Sequence, residues 1–189
     1  MDLKAKKIVS NESSDIVRML NKVTLGSPLD DNAIDLCPED LSDTIEDTNE
    51  WVYRLLNNGV YRCGFSTQQS AYDNASKDVR TGLHKVNSIL ESQPYLCGHV
   101  FTESDLRLLP TIIRFDGAYS PLFRAGGAHV RIKDYPNILA WLQRCWDMDG
   151  VKESIDINDA VSSYYKQLFP LNPGGIIPTP ITEEEIGLR

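Results

Sequence analysis

Apolar residues recur at spacings of three, four and seven through most of the chain, which is the pattern of helices with one buried face. From about Glu39 this pattern predicts a helix that ends at Asn57-Asn58-Gly59, because a glycine after an apolar run is typical of a C-cap. Further helices are predicted over residues 67–91, 137–147 and 158–168. The sequence therefore predicts an all-α body.

A helix-start signature lies at Phe101-Thr102-Glu103-Ser104-Asp105. Thr102 is predicted as the N-cap and Asp105 as the third helical residue, so that the carboxylate reaches back to the N-cap amide. Phe101 can pack against Leu106 at the same helix start. We expect Pro110 to bend this helix, because proline removes a backbone donor and clashes with the preceding turn.

The N-terminal segment has a different pattern. Lys6–Val9 is typical of a short strand, and a polar turn and a helix ending near Leu20 follow it. No partner strand is predicted in the helical body. The segment therefore looks like the end of one domain joined to all of another.

The segment from Pro170 to the C-terminus contains four of the ten prolines and shows no hydrophobic period. Such a composition predicts extended backbone rather than a helix. We expect this tail to lie on the surface, with Ile176 and Ile177 tucked against the body.

Composition and charge narrow the classes of function. A net charge of −8 argues against a nucleic-acid or anionic-membrane partner, because both need clustered lysine and arginine. No apolar run approaches the roughly 18 residues of a membrane span. The N-terminus is too polar for a secretory signal. We expect a cytoplasmic protein, with a processed organellar one left open.

The four cysteines are Cys37, Cys63, Cys97 and Cys145. They show no Cys-x-x-Cys spacing and no nearby histidine pair, so no metal site is predicted. In a reducing compartment they are expected to be buried or half-buried thiols.

Several stretches resemble the Xi class of glutathione transferases, the S-glutathionyl-hydroquinone reductases. The matching stretches are IVSNESSDIVRMLN (8–21), TNEWVYRLLNNGVYRCGF (48–65), YLCGHVFTESDLRLLPTIIRFDGAY (95–119), DYPNILAWL (134–142) and SYYKQLFPLNPGGIIP (163–178). The resemblance implies the all-α C-terminal helical bundle of a glutathione transferase, preceded by a residual strand and helix of a thioredoxin-like domain.

The same resemblance implies a division of the chain. Residues 1–24 are expected to be the thioredoxin-like remnant, 25–38 a linker, 39–169 the helical domain and 170–189 the extended tail. The Cys-Pro segment that carries the catalytic thiol of the class is expected upstream, so no catalytic residue is expected in this chain.

Glu12 and Ser13 stand at a predicted helix start, where unpaired amides and the helix dipole favour an anion. The resemblance implies that Ser13 binds the α-carboxylate of the γ-glutamyl group of glutathione, while Glu12 pairs with its ammonium. From the residues alone, a plain N-cap is the alternative, because serine is common there for local reasons.

Tyr61 and Tyr164 match two tyrosines that, in the class, point phenol groups into the hydroquinone pocket. Such a phenol can donate to a quinol oxygen while the carbon–sulfur bond breaks. The alternative for each is a packed aromatic with a satisfied hydroxyl, and Tyr165 is an equally placed competitor of Tyr164. Arg114 and Asp116 are expected to form a structural charge pair.

The chain departs from the class pattern at the substrate end. The class reads His-x-x-x-His-Tyr-Tyr before its final segment, where this chain has Asp159 and Ser163. After Tyr119 the class motif is replaced, and Gly126-Gly127 is inserted. These changes leave the identity of the quinol open.

Two hypotheses of function follow. The first is the glutathione-dependent removal of glutathione from S-glutathionyl-hydroquinones by a longer protein. By the resemblance, Met1 falls inside a run that is conserved in the class, which favours this. The alternative is a non-catalytic helical module that acts as a subunit or scaffold, as a homodimer or with a partner covering Ile8 and Val9. Assembly with a separately encoded thioredoxin-like chain is a third, weaker hypothesis. Alone, the chain is expected to be inactive, because neither Cys37 nor Cys63 sits beside a base.

Overall fold

A long central helix organises the fold. The computed structural model describes residues 3–26, 33–179 and 181–188. In chain order the α-helices of these residues are α1 (Ser13–Leu25), α2 (Ser42–Val52), α3 (Gly59–Gly64), α4 (Gln69–Ser92), α5 (Glu103–Arg114), α6 (Ser120–Phe123), α7 (Pro136–Trp146) and α8 (Ile157–Gln167). Two π-helical turns (Tyr53–Asn57 and Phe115–Tyr119) and short 3-10 turns (Glu39–Leu41, Ile132–Asp134, Lys152–Ser154 and Glu184–Ile186) complete the helical structure.

The core forms where α4 and α5 meet their neighbours. Helix α4 packs against α3, α7 and the first π-helical turn, while α5 packs against α2, α7 and α8. The buried face of α4 consists of Ala75, Val79, Leu83, Val86 and Leu90, which recur every three or four residues. The helices predicted over 67–91, 137–147 and 158–168 are confirmed to within two residues at each end.

The start of α5 has the predicted capping box. The Asp105 carboxylate accepts hydrogen bonds from the Thr102 amide at 3.1 Å and the Thr102 hydroxyl at 3.0 Å. It also accepts from the Leu96 amide and from the indole Nε1 of Trp141, both at 2.9 Å. Burial raises the pKa of Asp105, against the opposing effect of these donors. The side chain thereby joins α5 to α7 and to the preceding loop. The bend expected at Pro110 stays a prediction, and α5 continues past this residue.

The predicted strand at Lys6–Val9 is wrong. Residues 3–6 form a turn, Lys7 takes part in a single bridge, and residues 8–12 have no regular structure. A strand needs a neighbouring strand to pair its amides, and the described residues contain no other one. Helix α1 does follow, and it extends beyond the predicted end near Leu20.

The predicted C-cap at Asn57-Asn58-Gly59 is also wrong. Asn58 keeps right-handed helical backbone angles, and α3 begins at the glycine. The side-chain amide of Asn57 instead donates to the Arg107 carbonyl at 3.0 Å and to the Thr111 hydroxyl at 2.7 Å. A residue that resembled a helix end therefore connects the first π-helical turn to α5.

The tail is anchored by residues other than the expected isoleucines. Ile176 is 75% exposed and Ile177 is 39% exposed, whereas Ile186 and Leu188 are buried. Gly187 between them has a positive φ of 86°, and a Cβ there would lie 2.4 Å from Leu139 Cδ1. The close approach of the glycine lets its two apolar neighbours reach the core.

Candidate functional site

Three tyrosine hydroxyls meet at one point of the helical domain. The Tyr164 Oη lies 2.6 Å from the Tyr61 Oη and 2.6 Å from the Tyr119 Oη. The Tyr61 and Tyr119 oxygens are 3.3 Å apart. We call these three residues the tyrosine triad. Since the three lie 45 to 103 positions apart in sequence, only the packing of α3, α8 and the second π-helical turn brings them together.

Phe123 supports the rings of the triad. Its ring centroid lies 5.4 to 5.8 Å from those of Tyr61, Tyr119 and Tyr164. A Cβ on Gly64 would lie 2.6 Å from the Phe123 ring, so glycine is needed for this close packing. The phenol groups are therefore held by aromatic contacts on one side and by one another at their hydroxyls.

Burial raises the pKa of two tyrosines of the triad. The side chain of Tyr119 is buried, and burial together with the hydrogen bonds to its two partners raises the pKa of Tyr119 well above that of a free phenol. Burial also raises the pKa of Tyr164 to about 12, although the hydrogen bond from Tyr119 opposes this shift. Tyr119 and Tyr164 are therefore neutral near pH 7 and can donate hydrogen bonds.

Helical irregularities precede two of the three tyrosines. Tyr61 follows the first π-helical turn, and Tyr119 is the last residue of the second. Such turns inside helices are frequent at functional sites, because they change the direction in which side chains point. Tyr164 lies on the regular helix α8.

Tyr164 of the triad borders a groove between α5 and α8. This cavity of about 660 Å³ is lined by Tyr164 together with Leu109, Ile113, Val151, Ile155, Arg114, Asp156, Asp159 and Ser163, among others. Its walls are therefore largely apolar, with a few charged and hydroxyl groups. Tyr61 lines a second cavity of about 570 Å³, together with Asn58, Arg62 and Asn74.

Arg114 and Asp116 do not form the expected charge pair. Arg114 Nη1 donates to the Pro110 carbonyl at 3.5 Å and lines the groove. The Asp116 carboxylate instead accepts from the Ile132 amide at 3.0 Å. This hydrogen bond connects the second π-helical turn to the 3-10 turn Ile132–Asp134.

Glu12 and Ser13 lie at the exposed start of α1. Glu12 is the N-cap residue and Ser13 is the first helical residue, so the expectation that Ser13 caps the helix is wrong. The Ser10 hydroxyl instead accepts from the Glu12 amide at 3.0 Å and donates to Asp15 at 2.8 Å. The side chains of Glu12 and Ser13 themselves make no hydrogen bond or ion pair among the described residues.

Helix α1 is fixed to the start of α5 by a buried carboxylate. The Arg18 Nε lies 2.7 Å from Glu103 Oε2, and the Arg18 Nη2 lies 2.7 Å from Glu46 Oε1. Glu103 has a fully buried side chain, and Arg107 approaches its second oxygen at 3.3 Å. The Cys37 thiol donates to the same carboxylate at 3.3 Å. Two arginines thus neutralise the buried Glu103.

Comparison with known proteins identifies the family. A family model described as glutathione S-transferase, C-terminal domain, matches residues 69–144. Glutathionyl-hydroquinone reductase YqjG of Escherichia coli (strain K12) is 39% identical over 176 residues, covering 93% of this chain and 52% of YqjG. Glutathionyl-hydroquinone reductase PcpF of Sphingobium chlorophenolicum is 37% identical over 176 residues, covering 92% of this chain and 54% of PcpF. The chain therefore spans about half the length of these curated relatives.

A solved structure gives the same answer. The Xi glutathione transferase ECM4 from Saccharomyces cerevisiae, in complex with glutathione, matches with a TM-score of 0.89 and 31% identity. The match covers 100% of this chain and 62% of that chain. By homology, the chain belongs to the Xi class of glutathione transferases.

The structure brings together the two tyrosines singled out in this Xi-class chain. Tyr61 and Tyr164 share a hydrogen bond, whereas the hydroxyl of Tyr165 has no hydrogen-bond partner among the described residues. Tyr119 was missed, although it ends the matching stretch 95–119. Its signal in the sequence was weak, because an aromatic residue after a predicted helix is ordinarily a core residue. The roles of all three stay predictions at this point.

The cysteines of the Xi-class chain are unsuited to act as nucleophiles. Burial raises the pKa of the Cys63 and Cys145 thiols, and Cys97 is buried with its thiol 3.4 Å from the Ser104 hydroxyl. Burial and the hydrogen bond to Glu103 raise the pKa of Cys37 to about 11. A nucleophilic thiol needs a lowered pKa, so these environments favour structural thiols. The expectation of buried or half-buried cysteines is confirmed.

None of the helices formed by the described residues is both long enough and apolar enough to span a membrane.

Proposed function

We propose that this chain provides the quinol-binding part of a reductase that removes glutathione from S-glutathionyl-hydroquinones. The observation that carries the proposal is the tyrosine triad beside the groove between α5 and α8. The groove offers apolar walls for an aromatic ring, and Tyr164 offers a phenol at its border. Aromatic diols have this combination of an apolar ring and polar oxygens. The names of the relatives YqjG and PcpF, both glutathionyl-hydroquinone reductases, support the same assignment.

Glutathione is the proposed co-substrate. Glu12 and Ser13 are exposed at the positive end of α1, where free amides can donate hydrogen bonds to a carboxylate. Helix α1 is anchored to α5 by Arg18 and Glu103. This link supports a fixed placement of the glutathione end relative to the helical domain. The glutathione-bound structure of the relative ECM4 is consistent with this ligand.

The proposed reaction needs a thiolate that the described cysteines do not supply. A cysteine thiolate attacks the sulfur of the glutathionyl group, the carbon–sulfur bond breaks, and the ring carbon is left with a proton in place of the sulfur, which gives the hydroquinone. A second glutathione then attacks the resulting mixed disulfide, which releases glutathione disulfide and restores the cysteine. We propose that this cysteine lies outside the 189 residues, in a thioredoxin-like domain.

The expected division of the chain fits this proposal. Residues 39–169 would form the helical domain that holds the quinol, and residues 1–24 would complete the glutathione site of the thioredoxin-like domain. Residues 25–38 would link the two, and 170–189 would form the tail. A cytoplasmic location and a homodimer are proposed with the same activity.

A non-catalytic helical module is the second candidate. It is favoured by the raised pKa of Cys37. It is also favoured by Asp159 and Ser163, which line the groove in place of the two histidines of the class pattern. In that case the groove would be a vestige, and the chain would act through a protein partner.

Calorimetry on the 189-residue chain separates the two candidates. We expect weak but saturable binding of S-glutathionyl-1,4-hydroquinone, reduced roughly tenfold by Tyr164→Phe and by Ser13→Ala. Tyr165→Phe is the matched control on the same helix and should bind as the unaltered chain does. An affinity that is unchanged by Tyr164→Phe, or no measurable binding, would favour the non-catalytic module.

A further inference from the structure

The distances between the three hydroxyls limit which of them can donate a hydrogen bond to which. Each phenol has one proton to donate, and its oxygen can accept two hydrogen bonds. Tyr164 is the common neighbour, because its oxygen lies 2.6 Å from both others, whereas Tyr61 and Tyr119 are 3.3 Å apart. If both neighbours donate to Tyr164, both short contacts are satisfied and the Tyr164 proton is left for a ligand.

Burial restricts what Tyr119 can do. The residue is only 2% exposed, and its hydroxyl has no hydrogen-bond partners among the described residues other than Tyr164 and Tyr61. The contact with Tyr164 is the shorter one, so donation of the Tyr119 proton to Tyr164 makes the stronger of its two possible hydrogen bonds. The raised pKa of Tyr119 is consistent with a phenol that retains its proton and serves as a donor. Tyr119 cannot reach the groove itself, since it is not among the groove-lining residues.

We propose that Tyr119 is a positioning residue that, together with Tyr61, donates into the Tyr164 oxygen and turns the Tyr164 proton towards the groove. This inference rests on the proposed quinol site and adds to it a direction of donation. The triad then presents a single outward donor, Tyr164, instead of two equivalent tyrosines. A phenol that accepts two hydrogen bonds is polarised, and its own proton becomes a stronger donor.

This arrangement suits the chemistry of the proposed reaction. In the keto tautomer of the quinol, the sulfur-bearing ring carbon already holds its proton and one ring oxygen is a carbonyl. The electrons of the breaking carbon–sulfur bond then flow through the ring to that oxygen, which becomes a phenolate. A polarised donor at one oxygen stabilises this developing charge, as donors aimed at a transition-state oxyanion do. Tyr164 keeps its proton throughout, and so do Tyr61 and Tyr119. The ring carbon takes its proton from the quinol's own hydroxyl by way of water, during tautomerisation, and water reprotonates the phenolate after the carbon–sulfur bond has broken.

Charged groups around the groove would act on any ligand there. Arg114 faces it from α5, and Asp156 and Asp159 face it from the start of α8. Arg114 favours an ionised ligand, while the two carboxylates oppose it. These groups are the same in all tyrosine variants, so a comparison among the variants isolates the hydroxyls.

The test uses 4-nitrophenol as a probe, because its absorbance distinguishes the ionised form from the neutral one. Its matched partner is 4-nitrotoluene, in which a methyl group replaces the hydroxyl. For the 189-residue chain carrying Tyr119→Phe we expect about fivefold weaker binding of 4-nitrophenol and a smaller ionised fraction of the bound probe. Binding of 4-nitrotoluene should stay within twofold of the unaltered chain.

Two further variants keep the outcome unambiguous. Tyr61→Phe removes the other donor and should lower the ionised fraction in the same direction, whereas Tyr165→Phe should leave it unchanged. Equal losses for both probes in Tyr119→Phe would mean that the ring is merely packed, and the inference would be overturned. An unchanged ionised fraction would overturn it as well.

The result also separates this inference from the proposed function. If Tyr164→Phe weakens 4-nitrophenol binding but Tyr119→Phe and Tyr61→Phe do not, the groove binds phenols and only the direction of donation is wrong. If Tyr164→Phe has no effect either, the quinol site itself is wrong, and the inference is overturned with it. Should Tyr119→Phe fail to fold, the Tyr61→Phe result decides the direction.

Discussion

Two buried polar clusters in this molecule differ in how completely their hydrogen bonds are used. At the start of α5, the Asp105 carboxylate accepts four hydrogen bonds, all from protein groups. In the tyrosine triad, three hydroxyls are hydrogen-bonded to one another. One of them, the hydroxyl of Tyr164, belongs to a residue that lines the groove between α5 and α8. A saturated cluster can only hold the fold together, whereas a cluster with a donor to spare can also bind a ligand.

The largest effect on stability is expected at Asp105, whose hydrogen bonds are all made within the protein. Asp105→Ala leaves four buried donors without an acceptor and should lower the free energy of unfolding by about 4 kcal/mol. Urea denaturation followed by circular dichroism measures this loss. Asp147→Ala, at the exposed end of α7, is the control and should cost under about 0.5 kcal/mol. A small loss at Asp105 would show that the cluster does not hold the helices together.

Cys37 also lies beside the start of α5, where its thiol donates to Glu103. Alkylation tests whether the pKa of this thiol is raised. With a pKa of about 11, Cys37 should react with iodoacetamide near pH 8 on the order of 100-fold more slowly than an unfolded cysteine. Mass spectrometry of native and urea-unfolded protein gives both rates. Rapid native alkylation at Cys37 would contradict the raised pKa.

The same shift predicts a pH dependence of stability. The folded-state pKa of Cys37 lies above the unfolded value, so the folded protein binds this proton more tightly. The stabilising contribution is complete below an unfolded pKa of about 8.5 and is lost as the pH rises towards 11. Cys37→Ala should remove this component, which urea titrations across that range can detect.

Arg18 pairs with two carboxylates of different burial, so the contribution of burial to stability can be measured within one ion-pair network. Glu103→Gln leaves the partly buried Arg18 and Arg107 without their shared buried carboxylate and should cost about 3 kcal/mol. Glu46→Gln removes an exposed partner of the same Arg18 and should cost under about 0.5 kcal/mol. Thermal unfolding of both variants checks the difference. Equal losses would mean that burial of Glu103 does not set its contribution.

In the tyrosine triad, a substitution should reduce ligand binding more than it reduces stability. Tyr164→Phe keeps the ring packing and should lower the unfolding free energy by only about 1 kcal/mol. Binding of 1,4-hydroquinone should fall by about tenfold in the same variant, as measured by calorimetry. A stability loss as large as that of Asp105→Ala, with binding unaffected, would make the triad a second structural cluster.

The sequence alone predicts a contact in the first cluster but not in the triad, because only the first contact is local. Thr102 and Asp105 lie three residues apart, so their contact follows from helix geometry alone, and the prediction was correct. Tyr61 and Tyr164 could be paired only by resemblance, because they are 103 residues apart and meet through tertiary packing. Tyr119 gave no local signal that distinguishes it from a core aromatic.

The errors have physical causes of the same kind. Lys6–Val9 has the composition of a strand, but no other strand among the described residues can pair with it. Asn57 has the local pattern of a helix end, yet its amide bonds to Arg107 and Thr111 on another helix. Local propensity was outweighed by non-local contacts in both places.

The two π-helical turns have a consequence for how such a site can change over time. Each turn of this kind accommodates one residue more than regular helix would, and one residue corresponds to about 100° of rotation about the helix axis. Deleting a single codon within Tyr53–Asn57 would restore regular winding and swing Tyr61 away from Tyr164 by that angle. Inserting or removing one residue can therefore disconnect or rebuild this cluster without altering any tyrosine. Helix length, rather than side-chain identity, would then set which descendants of this chain keep the shared hydroxyls.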